Sequence, residues 1–316
     1  MTPAGLFCPA GEFHIDPCRG VARAVITHAH SDHARRGSRA YLTSPTGALL
    51  LRERVARRAV IQAVPYGEPV VLNGVRVSLH PAGHILGSAQ IRVEHRGEVW
   101  AVSGDYKRER DPTCEPFEPV RGHTFLTECT FGRPLFQWRP AAEVFAEINA
   151  WWRANRARGV TSVIGAYPLG KAQRLIAGVD HSIGPVVAGE AVRRFVAAYR
   201  QAGVNLPAVG RRPTAGCLVI GGNASGATAF ASGWMALPQA TKRFGVDRGF
   251  VLSDHADWDG LIATVKATGA SRVLATHGDG REFVRWLQRN GWQARVWRGR
   301  YEPQMEWDFD DGSPVC

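Results

Sequence analysis

The chain has little lysine, little methionine and no paired cysteine, and each shortage narrows what it can be. Its six cysteines stand at positions 8, 18, 114, 129, 217 and 316 and form no Cys-x-x-Cys pair. Neither a thiolate zinc site nor a disulfide framework is signalled. No apolar run approaches the ~18 residues that a membrane span requires. Residues 1–20 lack the basic start and apolar stretch of a secretory signal. These absences predict a cytoplasmic protein with reduced thiols and no membrane partner. Internal repeats, low-complexity tracts and a clean linker are also missing. A second domain is therefore expected as an insertion into the first, not as a module strung after it.

What is present in excess is arginine. Lysine supplies only Lys107, Lys171, Lys242 and Lys266 of the 39 basic residues, which outnumber 28 acidic ones and leave a formal charge of +11. A surplus of that size favours polyanions such as nucleic acid or an acidic membrane surface. Arg pairs bidentately with phosphate, but an Arg bias also follows from a GC-rich genome, so composition by itself supports nucleic acid only weakly. With 45% apolar and 21% charged residues in 316, the chain has the make-up of a globular protein with one large domain or two modest ones.

The coarse pattern locates the polar clusters. Ala22 to Thr27 reads as a buried strand. Ser44-Pro45 predicts a helix start, with Ser as N-cap and Pro in the first turn, leading into an Arg-rich helix to about Arg58. Asn73-Gly74, between Val70–Leu72 and Val75–Leu79, is a hairpin signal, and Arg96-Gly97 joins Ala89–Glu94 to Glu98–Val102 in the same way. The first third is thus expected to be rich in antiparallel strands. From Ala141 to Arg158 the pattern turns helical, and strands and helices then alternate to Ile220, as in a parallel-sheet insert. Val246 to Ser253, Trp258 to Thr268 and Arg272 to Thr276 read as strand, helix and strand.

The stretch Thr27-His28-Ala29-His30-Ser31-Asp32-His33 directly follows the first buried strand. In an extended segment alternate side chains share a side, so His28 and His30 point the same way. A turn at Ser31 brings Asp32 and His33 back over the same spot. Nitrogen and oxygen ligands converging like this suit Zn²⁺ or a similar divalent ion. Four further clusters stand at strand ends: Gly83-His84, Gly104-Asp105, Asp254-His255-Ala256-Asp257 and His277-Gly278-Asp279. Counting ligands gives His28, His30, His84 and Asp105 for one ion, and Asp32, His33, Asp105 and His277 for a second. Two such ions supply a nucleophile at neutral pH and a clamp on phosphoryl oxygens. Hydrolysis is the reaction class implied, and the basic charge favours phosphodiesters.

These residues resemble a known family. His28-x-His30-x-Asp32-His33, then His84, then Asp105 looks like the metallo-β-lactamase signature, and Asp16 matches the acidic residue that begins it and supports the metal loop from behind. Thr127 to Gly132, Ser253 to Asp257 and Thr276 to Asp279 resemble the three further motifs of the β-CASP nucleases. Within that branch the compact length and the segment Ser253 to Gly260 are most similar to bacterial ligase-associated DNA exonucleases. The resemblance implies an αββα sandwich with a reduced β-CASP cap inserted, two divalent ions (Zn or Mn), and DNA cleavage in repair beside an ATP-dependent ligase and a helicase. It also implies that Asp32, Glu128 and His255 are catalytic. His255 would lie near the scissile phosphate as general acid, kept protonated by Glu128. One departure stands out. A histidine at 277 is more typical of RNA-cleaving members, which makes an RNA-processing ribonuclease the alternative.

Gly165 to Ala172 nearly matches a nucleotide-binding phosphate loop, but Ala172 replaces the hydroxyl residue that would hold Mg²⁺, which argues against an ATPase. Its backbone amides and Lys171 are instead expected to contact a substrate phosphate. Most of the ten tryptophans fit periodic core patterns; Trp234 and Trp258 are expected nearer the cleft. The expected layout is a metallo-β-lactamase core, α/β, from 1–135 and 241–316, with the cap at 136–240.

Overall fold

The computed structural model describes residues 2–55 and 58–297. The last part of the expected core, Cys316 included, and residues 56–57 of the Arg-rich helix lie outside the described residues. Two sheets pack face to face. The first has five strands in the order Leu6–Cys8, Phe13–Ile15, Arg23–Val25, Ala40–Thr43 and Val60–Ala63. The second has seven, in the order Gln293–Val296, Arg272–Thr276, Thr124–Glu128, Glu98–Val102, Ala89–His95, Val75–Pro81 and Val70–Leu72. One apolar cluster joins Phe13, Ile15, Val25 and Leu42 of the first to Val77, Leu79, Ile91, Val102 and Leu126 of the second. Burial of both inner faces is what holds the sandwich together.

Helices cover the outer faces. Leu51 of helix Pro45–Arg54 packs on Ala24, Ile26 and Tyr41 of the first sheet. Helices Trp258–Thr268 and Arg281–Arg289 bury Leu261, Val265, Phe283 and Leu287 against Phe125 and Val273 of the second. The Ser44 hydroxyl accepts from the Gly47 amide, as the N-cap reading requires. Both central residues of each expected hairpin turn have positive φ, at Asn73-Gly74 and Arg96-Gly97, which matches the twist of the paired strands.

A third sheet is parallel throughout, in the order Val186–Ala188, Leu218–Ile220, Ser162–Gly165, Ala227–Ala231 and Arg248–Phe250. Its helices Ala141–Ala157, Lys171–Gly178 and Glu190–Gln201 share one buried cluster with Leu50, Ile85 and Leu86 of the sandwich. Strand Arg248–Phe250 pairs here, beyond the boundary expected at residue 240.

The antiparallel strands expected in the first third are present at residues 70–102, while the first sheet runs parallel after its opening pair; its short strands carry no pairing information, and crossovers through residues 16–22 and the helix at 45–54 set the direction. One expectation changes. Trp258 is core, packed on Phe283 and Trp286. His28 to His33, His84, Asp105, Glu128, Asp254-His255 and His277 all follow or close a strand, so the sheet edges deliver them to one place.

Candidate metal centre

Past Val25 the chain leaves the first sheet, and Asp16 takes over its backbone. The Asp16 carboxylate accepts from the Thr27 amide at 2.8 Å and from the Thr27 hydroxyl, and it also holds His33 Nδ1 at 2.8 Å. The histidine loop is thereby pinned at its start and its end. Arg54 supports its middle by donating to the Ala29 carbonyl at 3.0 Å.

Four ligand atoms then converge. His28 Nε2 lies 3.1 Å from His30 Nδ1, and His30 Nδ1 lies 3.2 Å from His84 Nε2. Asp105 Oδ2 stands 3.5 Å from His28 Nε2 and 3.7 Å from His84 Nε2. A tetrahedral ion with bonds of ~2.0–2.1 Å needs ligand edges of roughly 3.3–3.4 Å, which this group brackets. A second group shares the same carboxylate: His33 Nε2 lies 3.6 Å from Asp105 Oδ2 and 3.5 Å from Asp32 Oδ2. His277 completes it, with ligand atoms of His33, Asp105 and His277 all within 4.8 Å of one another. Asp105 Oδ1 is buried and meets no hydrogen-bond donor among the described residues. The residues present therefore fit divalent metal ions, and Asp105 lies within reach of both ligand groups.

Outer contacts choose which nitrogen faces inward, as metal-binding histidines require. His84 Nδ1 donates to the Asp254 carbonyl at 2.8 Å and His30 Nε2 to the Leu169 carbonyl at 3.0 Å. His28 Nδ1 lies 3.1 Å from Thr27 Oγ1, so His28 and His84 present Nε2 while His30 presents Nδ1. Gly104 lets Asp105 approach, since a Cβ there would lie 2.6 Å from Thr27 Cβ and φ is +56°. His277 itself adopts φ +51° at the end of its strand, a left-handed conformation uncommon outside glycine.

The electrostatics suit ligands. Burial, reinforced by neighbouring imidazoles, holds His28 and His84 well below the usual histidine range. Burial brings His30 down to about 4 and, with His33 beside it, His277 to about 3. These rings are neutral near pH 7, the form that binds metal. His33 goes the other way: burial opposes its charge, but Asp105, Asp32 and Asp16 together raise it to about 10. Burial raises Asp105 to about 7 despite the pull of His33.

A carboxylate–imidazole pair adjoins the cluster. His255 Nδ1 lies 2.8 Å from Glu128 Oε2, and Glu128 is held by the Tyr106 amide at 2.8 Å and the Thr130 hydroxyl at 2.6 Å. Burial disfavours the imidazolium, yet Glu128 and Asp105 outweigh it and lift His255 to about 9. The His255 and His84 ring centroids are 4.7 Å apart.

Two amides of the cradle expected at 165–172 are already used. The Gly170 amide is taken by Gln173 Oε1 and the Ala172 amide by the Tyr167 carbonyl, so the loop satisfies both itself. Lys171 is buried with Nζ 2.8 Å from Asp254 Oδ1, and burial lowers it to about 8 against the pull of that carboxylate. Lys171 nonetheless lines a narrow pocket with His84 and His255. Sequence reading missed the partners around it. Arg174 reaches Asp254, Asp111 and Glu109, and Lys107 reaches Asp111. The charge-dense run Lys107 to Asp111 was the available signal.

No family model matches the chain. It is 32% identical to a protein named probable DNA ligase from Opitutus terrae, over 98% of this chain and 32% of that one. An endoribonuclease of Saccharomyces cerevisiae is 25% identical over 49% of the chain and 25% of its own length. A ribonuclease of Thermus thermophilus is 27% identical over 52% of the chain and 44% of its own length. The chain thus spans a quarter to less than half of these curated relatives. A solved structure from Enterococcus faecalis, a protein of unknown function, shares the fold with a TM-score of 0.56 at 12% identity, covering 83% of this chain and 76% of that one. No helix among the described residues is long and apolar enough to cross a membrane. The chain is thus similar to proteins named as a ligase and as ribonucleases, and its mixed α/β architecture has the metallo-β-lactamase-type fold.

Proposed function

We propose that the chain is a metal-dependent nuclease that hydrolyses phosphodiesters of DNA, in repair and beside a ligase. The observation that carries this reading is the convergence of His28, His30, His84 and Asp105 next to the Glu128–His255 pair. In this reading His28, His30, His84 and Asp105 hold one divalent ion, and Asp32, His33, Asp105 and His277 hold a second. Zn²⁺ or Mn²⁺ in those positions would supply a nucleophile at neutral pH and neutralise phosphoryl charge.

His255 donates its Nε2 proton to the leaving oxygen. Glu128, fixed by Tyr106 and Thr130, keeps that imidazole protonated and oriented. Lys171 lines the narrow pocket beside His255 and is proposed to add positive charge near the phosphate. The two face-packed sheets serve as the metal-binding core and the parallel third sheet as its cap, with Arg248–Phe250 assigned to the cap.

The preference for DNA rests on the ligase-named relative, which matches 98% of this chain. Cleavage of RNA is the second reading, supported by His277 and by the relatives named ribonucleases. Incubation of the metal-loaded protein with end-labelled DNA and RNA, each single- and double-stranded, tests both. Metal-dependent shortening of DNA with RNA left intact supports the first reading, and the converse supports the second. Intact strands in every tube, with metal bound, would sink both.

A further inference from the structure

A cavity of about 590 Å³ opens from one side of the metal centre, with Asp32, Asp105 and His277 as its floor. Its far wall has a different chemistry: Phe136, Trp234, Leu237 and Phe244 line it, with Arg133 and Arg243 exposed at its edge. The volume lies in the ~300–1,000 Å³ range of small-ligand sites. An apolar, aromatic wall offers nothing to a phosphate chain. It offers the face of a ring to the face of a nucleobase, a contact that every base can make. The two arginines at the rim suit the strand's charge.

The opposite side differs. The pocket between His84, Lys171 and His255 measures about 20 Å³ and cannot seat a nucleoside. Trp234 borders both spaces and divides them. Of these two spaces beside Asp105 and His255, the larger has room for a nucleoside and the smaller does not.

We propose that the larger cavity seats the nucleoside attached to the phosphate under attack, unstacked and unpaired, whatever its base. A paired base is stacked above and below and joined to its partner, so it cannot enter a cavity of this size. The substrate is then a single strand or a frayed end. This deepens the nuclease reading and rests on it.

The test has one arm that needs no cleavage. The metal-loaded full chain is titrated by calorimetry with deoxyadenosine monophosphate, deoxyribose 5-phosphate and inorganic phosphate. We expect the nucleotide to bind about 5- to 150-fold more tightly than deoxyribose 5-phosphate, the range that base–aromatic stacking gives. Trp234→Ala should remove that margin. Trp234 also packs on Phe131 and Phe136, so Arg243→Gln, at an exposed position, is the second variant. It should weaken single-strand binding equally for all sequences and lower the salt slope by about one. In the other arm, an abasic site is moved along a labelled single strand, and cleavage should slow at a single position relative to the cut. Cleavage with a flat abasic scan and no margin for the nucleotide overturns the cavity assignment and leaves the nuclease standing. A clear nucleotide margin with no cleavage of any strand does the reverse.

Discussion

Two buried polar regions meet at Asp254, and they are built on opposite principles. In the histidine cluster, lone-pair atoms face lone-pair atoms at 3.1–3.7 Å: ring nitrogens of His28, His30 and His84 and a carboxylate oxygen of Asp105. Nothing in that group neutralises another member well, which is the signature of a set made for a cation. A few residues away Lys107, Lys171 and Arg174 meet Asp111, Asp254 and Glu109, so each charge has its opposite. Asp254 belongs to both regions. Its carbonyl orients His84, and its carboxylate anchors the helix Lys171–Gly178 of the third-sheet layer. Burial thus serves binding in one region and docking in the other.

The comparison breaks most sharply at the ligands. His84→Ala or Asp32→Ala should abolish cleavage while leaving the fold intact, checked by nuclease assay and metal analysis on the same sample; full activity in either variant would refute the site. His255→Ala should keep its metal yet lose about 10²–10⁴-fold in kcat, the usual worth of a general acid. A variant losing metal instead would make His255 a ligand.

The ion network answers to a different readout. Asp254→Ala leaves Lys171 and Arg174 facing each other without their shared carboxylate, and should cost about 3–5 kcal/mol in denaturant unfolding of the metal-free chain. A milder change is Asp16→Asn, which removes the outer partner of His33 and should weaken metal binding by about 10–100-fold in chelator competition.

The smallest and most diagnostic effect is pH. In the metal-free protein His28, His30, His84 and His277 titrate below their unfolded value of 6.5. The unfolded chain therefore binds protons first, and stability falls as pH drops below 6.5 towards 4 and 3. Asp105, raised to about 7, holds one proton in the folded state and offsets part of this. His33 contributes stability that is present below 6.5 and lost as pH rises through about 10. Asp254 and Asp111 are held below 3.8, so their contribution persists until pH falls under that value. Thermal melts should show wild type and Asp254→Asn declining in parallel from pH 6.5 to 4 and converging only below.

Much of the fold and of the site is legible in the amino-acid sequence. The cluster His28 to His33 carries its own spacing, and Asn73-Gly74 and Ser44-Pro45 act through local backbone geometry, so each can be read from its neighbours in the chain. The direction of the first sheet cannot, because strands of three or four residues hold no record of the strands they pair with. The reading of 165–172 as a phosphate contact is narrowed for a related reason: spacing says where glycines fall, but not that Gln173 and Tyr167 already use two of the amides.

By itself the sequence named the candidate ligands, because metal binding depends on residue type and the motifs keep their residues close in the chain. Tertiary structure decided what lies 50 to 170 positions apart: that Asp105 stands 3.5 Å from His28 and 3.6 Å from His33, that His84 is held by Asp254, and that His30 is held by Leu169 from the third-sheet layer. It also set Lys171 Nζ 2.8 Å from Asp254 Oδ1. Such pairings follow from which strand ends meet across a core, and packing over the whole chain sets that.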